Sequence, residues 1–307
     1  MEHKIGELLK ETQYQLFHYP ETTKKQDIKY IIKRVVRRTH TPKRDAFFWP
    51  HALLAQSLET AGELETIKKY YDLWIEKGLA IHNIDNVMNG YSLLYVYAET
   101  KDEKYKQAAD TLYTYLVQYI KSMNNIMPYR KGTPHHIYVD GVGMAAPFLC
   151  RYGAMFDKKE AIDLGIKQIQ EFLTYGMDDA TGLLYHGYDI KTEIKYGIIG
   201  WGRAIGWLLL AMADSIEYLP EGKEQKEIID AFQKLLNISL RYLRNDGYFA
   251  WQLPAMEGPK DTSATAMIGY ALKKSVAIDN RIRELKVQKN GEELSVKEVI
   301  KKLILKI

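Results

Sequence analysis

Four short stretches hold the side chains best suited to chemistry. In PYRKGTPHHIYVDGVGMAAPF, Pro128 to Phe148, Asp140 stands just before an apolar run, and Arg130, His135, His136 and Tyr138 lead up to it. A carboxylate at that place can simply cap a helix, where Asp is a preferred residue and its charge suits the helix dipole. A cap needs no guanidinium, imidazoles or phenol in front of it, however, and together these groups fit acid and base work on a bound ligand. Asp85, in HNIDNVMNGYSLLYVYAET, repeats the pattern and has the same capping alternative. In TGLLYHGYD, His186 lies among Tyr185, Gly187 and Tyr188. A lone histidine is often structural, but a Gly- and Tyr-rich loop around it also fits a site.

The fourth stretch is GWGRAIGW, Gly200 to Trp207. Arg203 and Trp207 are four apart and share a helix face, with Trp201 at the helix start. Two indoles beside a guanidinium fit a sugar ring that carries a carboxylate, whereas the competing reading is an aromatic core with a snorkelling arginine. Trp49, ahead of the first buried helix, is a further candidate for the pocket lining. Other chemistries find no support. No His-x-x-x-His or His-Glu-x-x-His spacing suggests a metal, and no Gly-x-Ser-x-Gly suggests a serine nucleophile. The lone cysteine, Cys150, lies inside an apolar helical run, so neither a disulfide nor a cysteine-based zinc site can form within the chain. Gly141 to Ala146 fits a relaxed dinucleotide fingerprint but lacks the strand and the βαβ unit that make such a match meaningful. No metal or cofactor is expected.

These residues must be positioned by helices, because apolar side chains recur at helical spacing through most of the chain. Amphipathic, Lys/Glu-rich segments at Glu63 to Gly78, Asp102 to Ile120, Lys158 to Tyr175 and Lys223 to Tyr242 read as helices exposed on one face. Between them come segments apolar nearly all round and therefore buried: Phe47 to Leu58, Val87 to Ala98, Gly141 to Phe156, Trp201 to Tyr218 and Ser263 to Val276. The alternation predicts an all-α ring of helical hairpins in a single domain over residues 1–307. The long Gly-, Pro-, His- and Tyr-rich connections, Asn124 to Asp140, Asp178 to Gly200 and Asn245 to Asp261, precede buried helices and are expected to build the site.

Composition agrees with a folded enzyme. The 307 residues are 46% hydrophobic and 27% charged, with 43 Lys and Arg against 39 Asp and Glu. That balance excludes disorder, and a net charge of +4 without a basic stripe argues against nucleic acid. The N-terminal stretch alternates charged and apolar residues and lacks a secretory pattern, and no apolar run approaches the roughly 20 residues that span a bilayer. A cytoplasmic protein with no membrane partner is the expectation.

The ordered set Asn83-Ile84-Asp85, Tyr138-Val139-Asp140-Gly141, Leu184 to Asp189, Trp201 to Trp207 and Thr262 to Met267 resembles glycoside hydrolase family 105. Those enzymes are the unsaturated rhamnogalacturonyl hydrolases, relatives of the family 88 unsaturated glucuronyl hydrolases. The resemblance implies an (α/α)6 barrel, here with a shortened C-terminal closure beyond Ala277. It also implies hydration of the C4=C5 double bond of a terminal unsaturated uronic acid on a lyase-generated oligosaccharide. Asp140 would then be the general acid and base, with Asp85 as the second carboxylate. Arg130 and Arg203 would hold the substrate carboxylate, His186 and His136 would bind hydroxyls, and Trp49, Tyr188, Trp201 and Trp207 would line the pocket. Thr133-Pro134-His135-His136 departs from the family pattern and bears on the aglycone. The remaining alternatives are a conventional glycosidase or sugar epimerase on the same scaffold, or a degenerate barrel that only binds sugar.

Overall fold

The computed structural model describes residues 2–19, 23–36, 47–121, 125–130 and 132–278, together with the backbone of 286–289, 292–295 and 298. The chain divides into two compact units, Met1–Leu112 and Tyr113–Ile307. The first contains α1 (Glu2–His18), α2 (Lys24–Val36), α3 (Trp49–Thr60), α4 (Leu64–Glu76), α5 (Ile84–Val87), α6 (Gly90–Thr100) and the start of α7 (Glu103–Lys121). The second contains the end of α7, then β1 (His136–Tyr138), α8 (Val139–Met155), α9 (Lys159–Tyr175), β2 (Gly187–Asp189), β3 (Lys195–Tyr196), α10 (Gly202–Ile216) and α11 (Lys223–Leu240). It continues with β4 (Phe249–Ala250), β5 (Lys260–Asp261), α12 (Thr262–Ile278) and a hairpin of β6 (Lys286–Lys289) and β7 (Glu292–Ser295). The rest of the C-terminal segment, where a shortened closure was expected, lies outside the described residues.

Helices dominate, as their periodicity predicts. In the second unit α8 and α10 bury nearly every side chain, whereas α9 and α11 bury one stripe each. The pairs α8·α9, α8·α10 and α10·α12 are packed against one another. Close approach of α8 and α10 depends on Gly143, where an added Cβ would lie 2.7 Å from Cε3 of Trp207. Each large apolar side chain buried between these helices contributes about 1.5–3 kcal/mol. No helix among the described residues is long and apolar enough to cross a membrane.

In the first unit, the expected helix over Val87 to Ala98 is broken into α5 and α6. The break is made by buried amides. Asn86 and Asn89 both donate from Nδ2 to the Phe47 carbonyl, at 2.5 and 3.1 Å. Tyr70 donates its hydroxyl to Asn89 Oδ1 at 2.9 Å, and Asn86 Oδ1 accepts from the His82 amide at 2.9 Å. Buried polar groups are costly unless paired, so this network fixes where α5 stops.

Candidate active site

The second unit positions its functional groups with a three-stranded sheet too short to leave a sequence pattern. β1 and β2 pair antiparallel in the register His136↔Asp189, Ile137↔Tyr188 and Tyr138↔Gly187, and β3 adds Tyr196 opposite Gly187. Strand alternation separates two faces. Ile137 and Tyr188 point into the core, at 3% and 0% exposure. His136, Tyr138, Gly187, Asp189 and Tyr196 share the other face. Gly187 is required there, because a Cβ would stand 2.3 Å from the Ile137 carbonyl and 2.9 Å from the Tyr196 ring.

The ladder continues one step past β1, with the Val139 amide donating to the His186 carbonyl at 3.1 Å. The chain then turns directly into α8, so Asp140 occupies the second position of that helix beside His186. His186 Nε2 and Asp140 Oδ2 are hydrogen-bonded at 2.7 Å, with side chains 28% and 16% exposed. Asp140 is not the helix cap. Tyr138 holds that position in extended conformation without a side-chain cap bond. The acidic group still benefits from the positive end of the helix dipole.

An aromatic row runs through His186. Its ring lies 4.6 Å from Tyr138 on one side and 4.7 Å from Trp201 on the other, the latter contact edge to face at 85°. Each end of the row carries a cation. The Arg203 guanidinium sits 4.5 Å over Trp201, and the Arg130 guanidinium sits 4.5 Å over Tyr129, whose ring meets Tyr138 at 6.1 Å. Arg203 lies in the first turn of α10, where the dipole disfavours a cation by about 0.3–1 kcal/mol. A bound anion would reverse that cost. The indole N–H of Trp201 is buried without a hydrogen-bond partner among the described residues. The loop after β4 fixes this helix start, because the Trp251 carbonyl accepts from Gly202 N and the Leu253 amide donates to Gly200 O, both at 2.8 Å.

A carboxyl group hydrogen-bonded to an imidazole, in an aromatic row with an arginine at each end, has the groups needed to exchange protons with a bound ligand. Residues 16–299 match the family model described as Glycosyl Hydrolase Family 88. The chain belongs to glycosyl hydrolase family 88. The unsaturated rhamnogalacturonyl hydrolase YesR of Bacillus subtilis is 26% identical over 259 residues, 80% of this chain and 75% of YesR. Protein Atu3128 of Agrobacterium fabrum is 30% identical over 139 residues, 42% of this chain and 59% of that protein. Among solved structures, a family 105 glycoside hydrolase of C. acetobutylicum ATCC 824 superposes with a TM-score of 0.70 at 26% identity, covering 90% of this chain and 82% of its own. The unsaturated glucuronyl hydrolase of Bacillus sp. GL1 gives 0.59 at 14% identity, covering 84% and 70%. This family 88 chain is thus a glycoside hydrolase with the all-α, helical-barrel fold of those enzymes.

Several site expectations change once the family 88 side chains are seen in place. Trp207 is 1% exposed and covers Gly143, so it packs α8 against α10 instead of forming a sugar-facing wall beside Trp201. Tyr188 is fully buried between Phe172 and Tyr175, at 5.8 and 5.5 Å, and burial raises the pKa of its hydroxyl. Neither ring is open to a sugar. His186 turns its Nε2 to Asp140. His136 keeps an exposed imidazole 3.7 Å from Asp189.

Asp85 and Trp49 lie in the first unit. Asp85 is half-buried in α5, and the cap is Asn83, whose Oδ1 accepts from the Asp85 amide at 2.8 Å. Trp49 opens α3, followed by Pro50. Tyr129, Asp189 and Tyr196 were not singled out from sequence. Asp189 and Tyr196 join the site through strands of three and two residues, too short to give a signal in the sequence. Among the described residues no group of three or more His, Cys, Asp and Glu is arranged to hold a metal ion.

Proposed function

We propose that this glycoside hydrolase removes the terminal 4,5-unsaturated uronic acid from oligosaccharides produced by polysaccharide lyases. The observation that carries the reading is the hydrogen bond between Asp140 Oδ2 and His186 Nε2 inside a row with an arginine at each end. The names of YesR and of the Bacillus sp. GL1 enzyme, both hydrolases of unsaturated uronyl substrates, support it.

In this scheme Arg203 binds the uronate carboxylate, and Arg130, at the opposite end of the row, is not placed to share it. Trp201 lies against the sugar ring, and Asp140 delivers its proton to C4. Positive charge develops at C5 and the ring oxygen, and water attacks C5 while Asp140 takes up the proton that the water loses. The resulting C5 hemiketal opens to a ketone. The hemiacetal then exposed at C1 collapses, releasing the aglycone sugar. His186 holds Asp140 in one orientation by sharing a proton between Nε2 and Oδ2, which leaves Oδ1 for the substrate. Asp85 is the second catalytic carboxylate, on the strength of its motif. A conventional glycosidase would instead protonate the glycosidic oxygen and accept saturated sugars.

The test follows ultraviolet absorbance of the conjugated double bond alongside sugar release. Chromophore loss in step with release, with no cleavage of the saturated counterpart, is expected. Cleavage of the saturated sugar with the unsaturated one spared would overturn the assignment.

A further inference from the structure

The site-facing side of the small sheet carries a second group of polar and aromatic side chains beside the Asp140–His186 pair. Tyr138 and Tyr196 rings meet edge to face at 5.2 Å, and His136 lies 5.3 Å from Tyr196. Gly187 lies between them and supplies no side chain, so Tyr196 covers its backbone. Asp189 completes the face. Its Oδ1 accepts from the amides of Lys191 and Thr192 at 2.9 and 3.1 Å, while Oδ2 is turned toward His136. The Lys191 amide, then that of Thr192 and the nearby His136, hold this carboxyl below the ordinary aspartate range, so it is ionised at neutral pH. Tyr138 is the last residue before α8, which places this face directly against the acid that acts on the uronic ring.

We infer that the face formed by His136, Tyr138, Asp189 and Tyr196 receives the aglycone sugar, and that the Asp189 carboxylate selects a neutral sugar over a sulfated or uronic one. This rests on the proposed hydration of an unsaturated uronate. The aromatic rings suit the apolar side of a sugar, and Asp189 Oδ2 and His136 supply an acceptor and a donor for its hydroxyls. An anionic group brought to the same place meets a fixed negative charge, and like charges juxtaposed at a recognition site are disfavoured.

The experiment compares two disaccharides with the same unsaturated uronate, one ending in a neutral sugar and the other in the same sugar sulfated. All assays are run at one fixed, mildly alkaline pH. The wild-type enzyme is expected to prefer the neutral disaccharide in kcat/KM, and Asp189→Asn to reduce that preference about tenfold. Asparagine keeps Oδ1 as acceptor for Lys191 and Thr192, and damage to the fold would lower both rates together without moving their ratio. His136→Gln provides a second reading, through a raised KM for both disaccharides.

A wild-type preference for the sulfated disaccharide overturns the inference, and so does a ratio that Asp189→Asn shifts by less than about twofold against the expected charge effect. If wild-type enzyme removes the chromophore from neither disaccharide, the hydration reading fails and takes this one with it. When it does remove the chromophore, the ratio judges the aglycone face alone.

Discussion

Two histidine–carboxylate pairs, one on a small sheet and one just beyond its end, differ in what the carboxylate is already doing. Asp189 gives Oδ1 to the amides of its own turn, and its nearest imidazole is 3.7 Å away. Asp140 sits in the first turn of α8 with no turn to close, and its imidazole is at 2.7 Å. The first pair is more exposed, with side chains at 42% and 23% against 28% and 16%. In the proposed mechanism the same two residue types yield an ionised acceptor in one place and a proton-exchanging acid in the other. Backbone amides stabilise a carboxylate's charge, whereas an imidazole partner can give or take the proton itself.

The largest expected effect separates the two carboxylates. Asp140→Asn should lower kcat by about 10³-fold or more, the range that general acid–base catalysis supplies, while Asp189→Asn alters substrate preference. Next come the imidazoles. His186→Ala should reduce kcat by about 10²-fold by releasing Asp140, with a changed pH profile, whereas His136→Ala should act mainly on KM. Steady-state kinetics on a neutral disaccharide check both. Equal losses in the two histidine variants would erase the distinction between the pairs.

A smaller effect is expected at Gly197. Its φ of +88° suits glycine, and an added Cβ would stand 2.6 Å from Cβ of His186. Gly197→Ala should therefore push His186 off Asp140 and cost about 1–3 kcal/mol in thermal or denaturant unfolding, with kcat lowered more than KM is raised.

His51, in the first unit, sharpens the comparison from the other direction. It is fully buried among Tyr19, Phe48 and Tyr70, and burial lowers its pKa to about 4 although the Tyr19 backbone partly offsets this. Above pH 6.5 it is neutral whether the chain is folded or not. Between 6.5 and about 4 the unfolded chain takes up a proton that the folded one refuses, so stability falls as the pH drops through that window. The loss is on the order of 2–3 kcal/mol and should disappear in His51→Phe, as denaturant unfolding across this range would show.

Much of this was legible in the sequence. Among the described residues, helices lie where the two kinds of periodicity put them, apart from the break between α5 and α6, because long apolar patterns report burial directly. Asp140, His186, Trp201 and Arg203 stand out by type and company. Their contacts do not, because His186 reaches Asp140 only through a strand register three residues long, and three residues have too little alternation to be recognised. The aromatics were misread for a related reason. Trp201 and Trp207 look alike as aromatics bracketing Arg203, but only the structure shows that Gly143 opens a slot for Trp207 in the core. Tyr188 follows the same logic, since strand alternation turns it inward while Gly187 and Asp189 face the site.

The central claim is that Asp140 supplies the proton that saturates C4. It is tested most directly by the rate of chromophore loss from an unsaturated uronyl disaccharide with Asp140→Asn, measured beside the wild type and beside Asp189→Asn as a matched loss of charge. A rate lowered about 10³-fold or more for Asp140→Asn, with Asp189→Asn close to wild type, is expected. A rate for Asp140→Asn within about tenfold of wild type, well short of what removing a general acid costs, would contradict the claim.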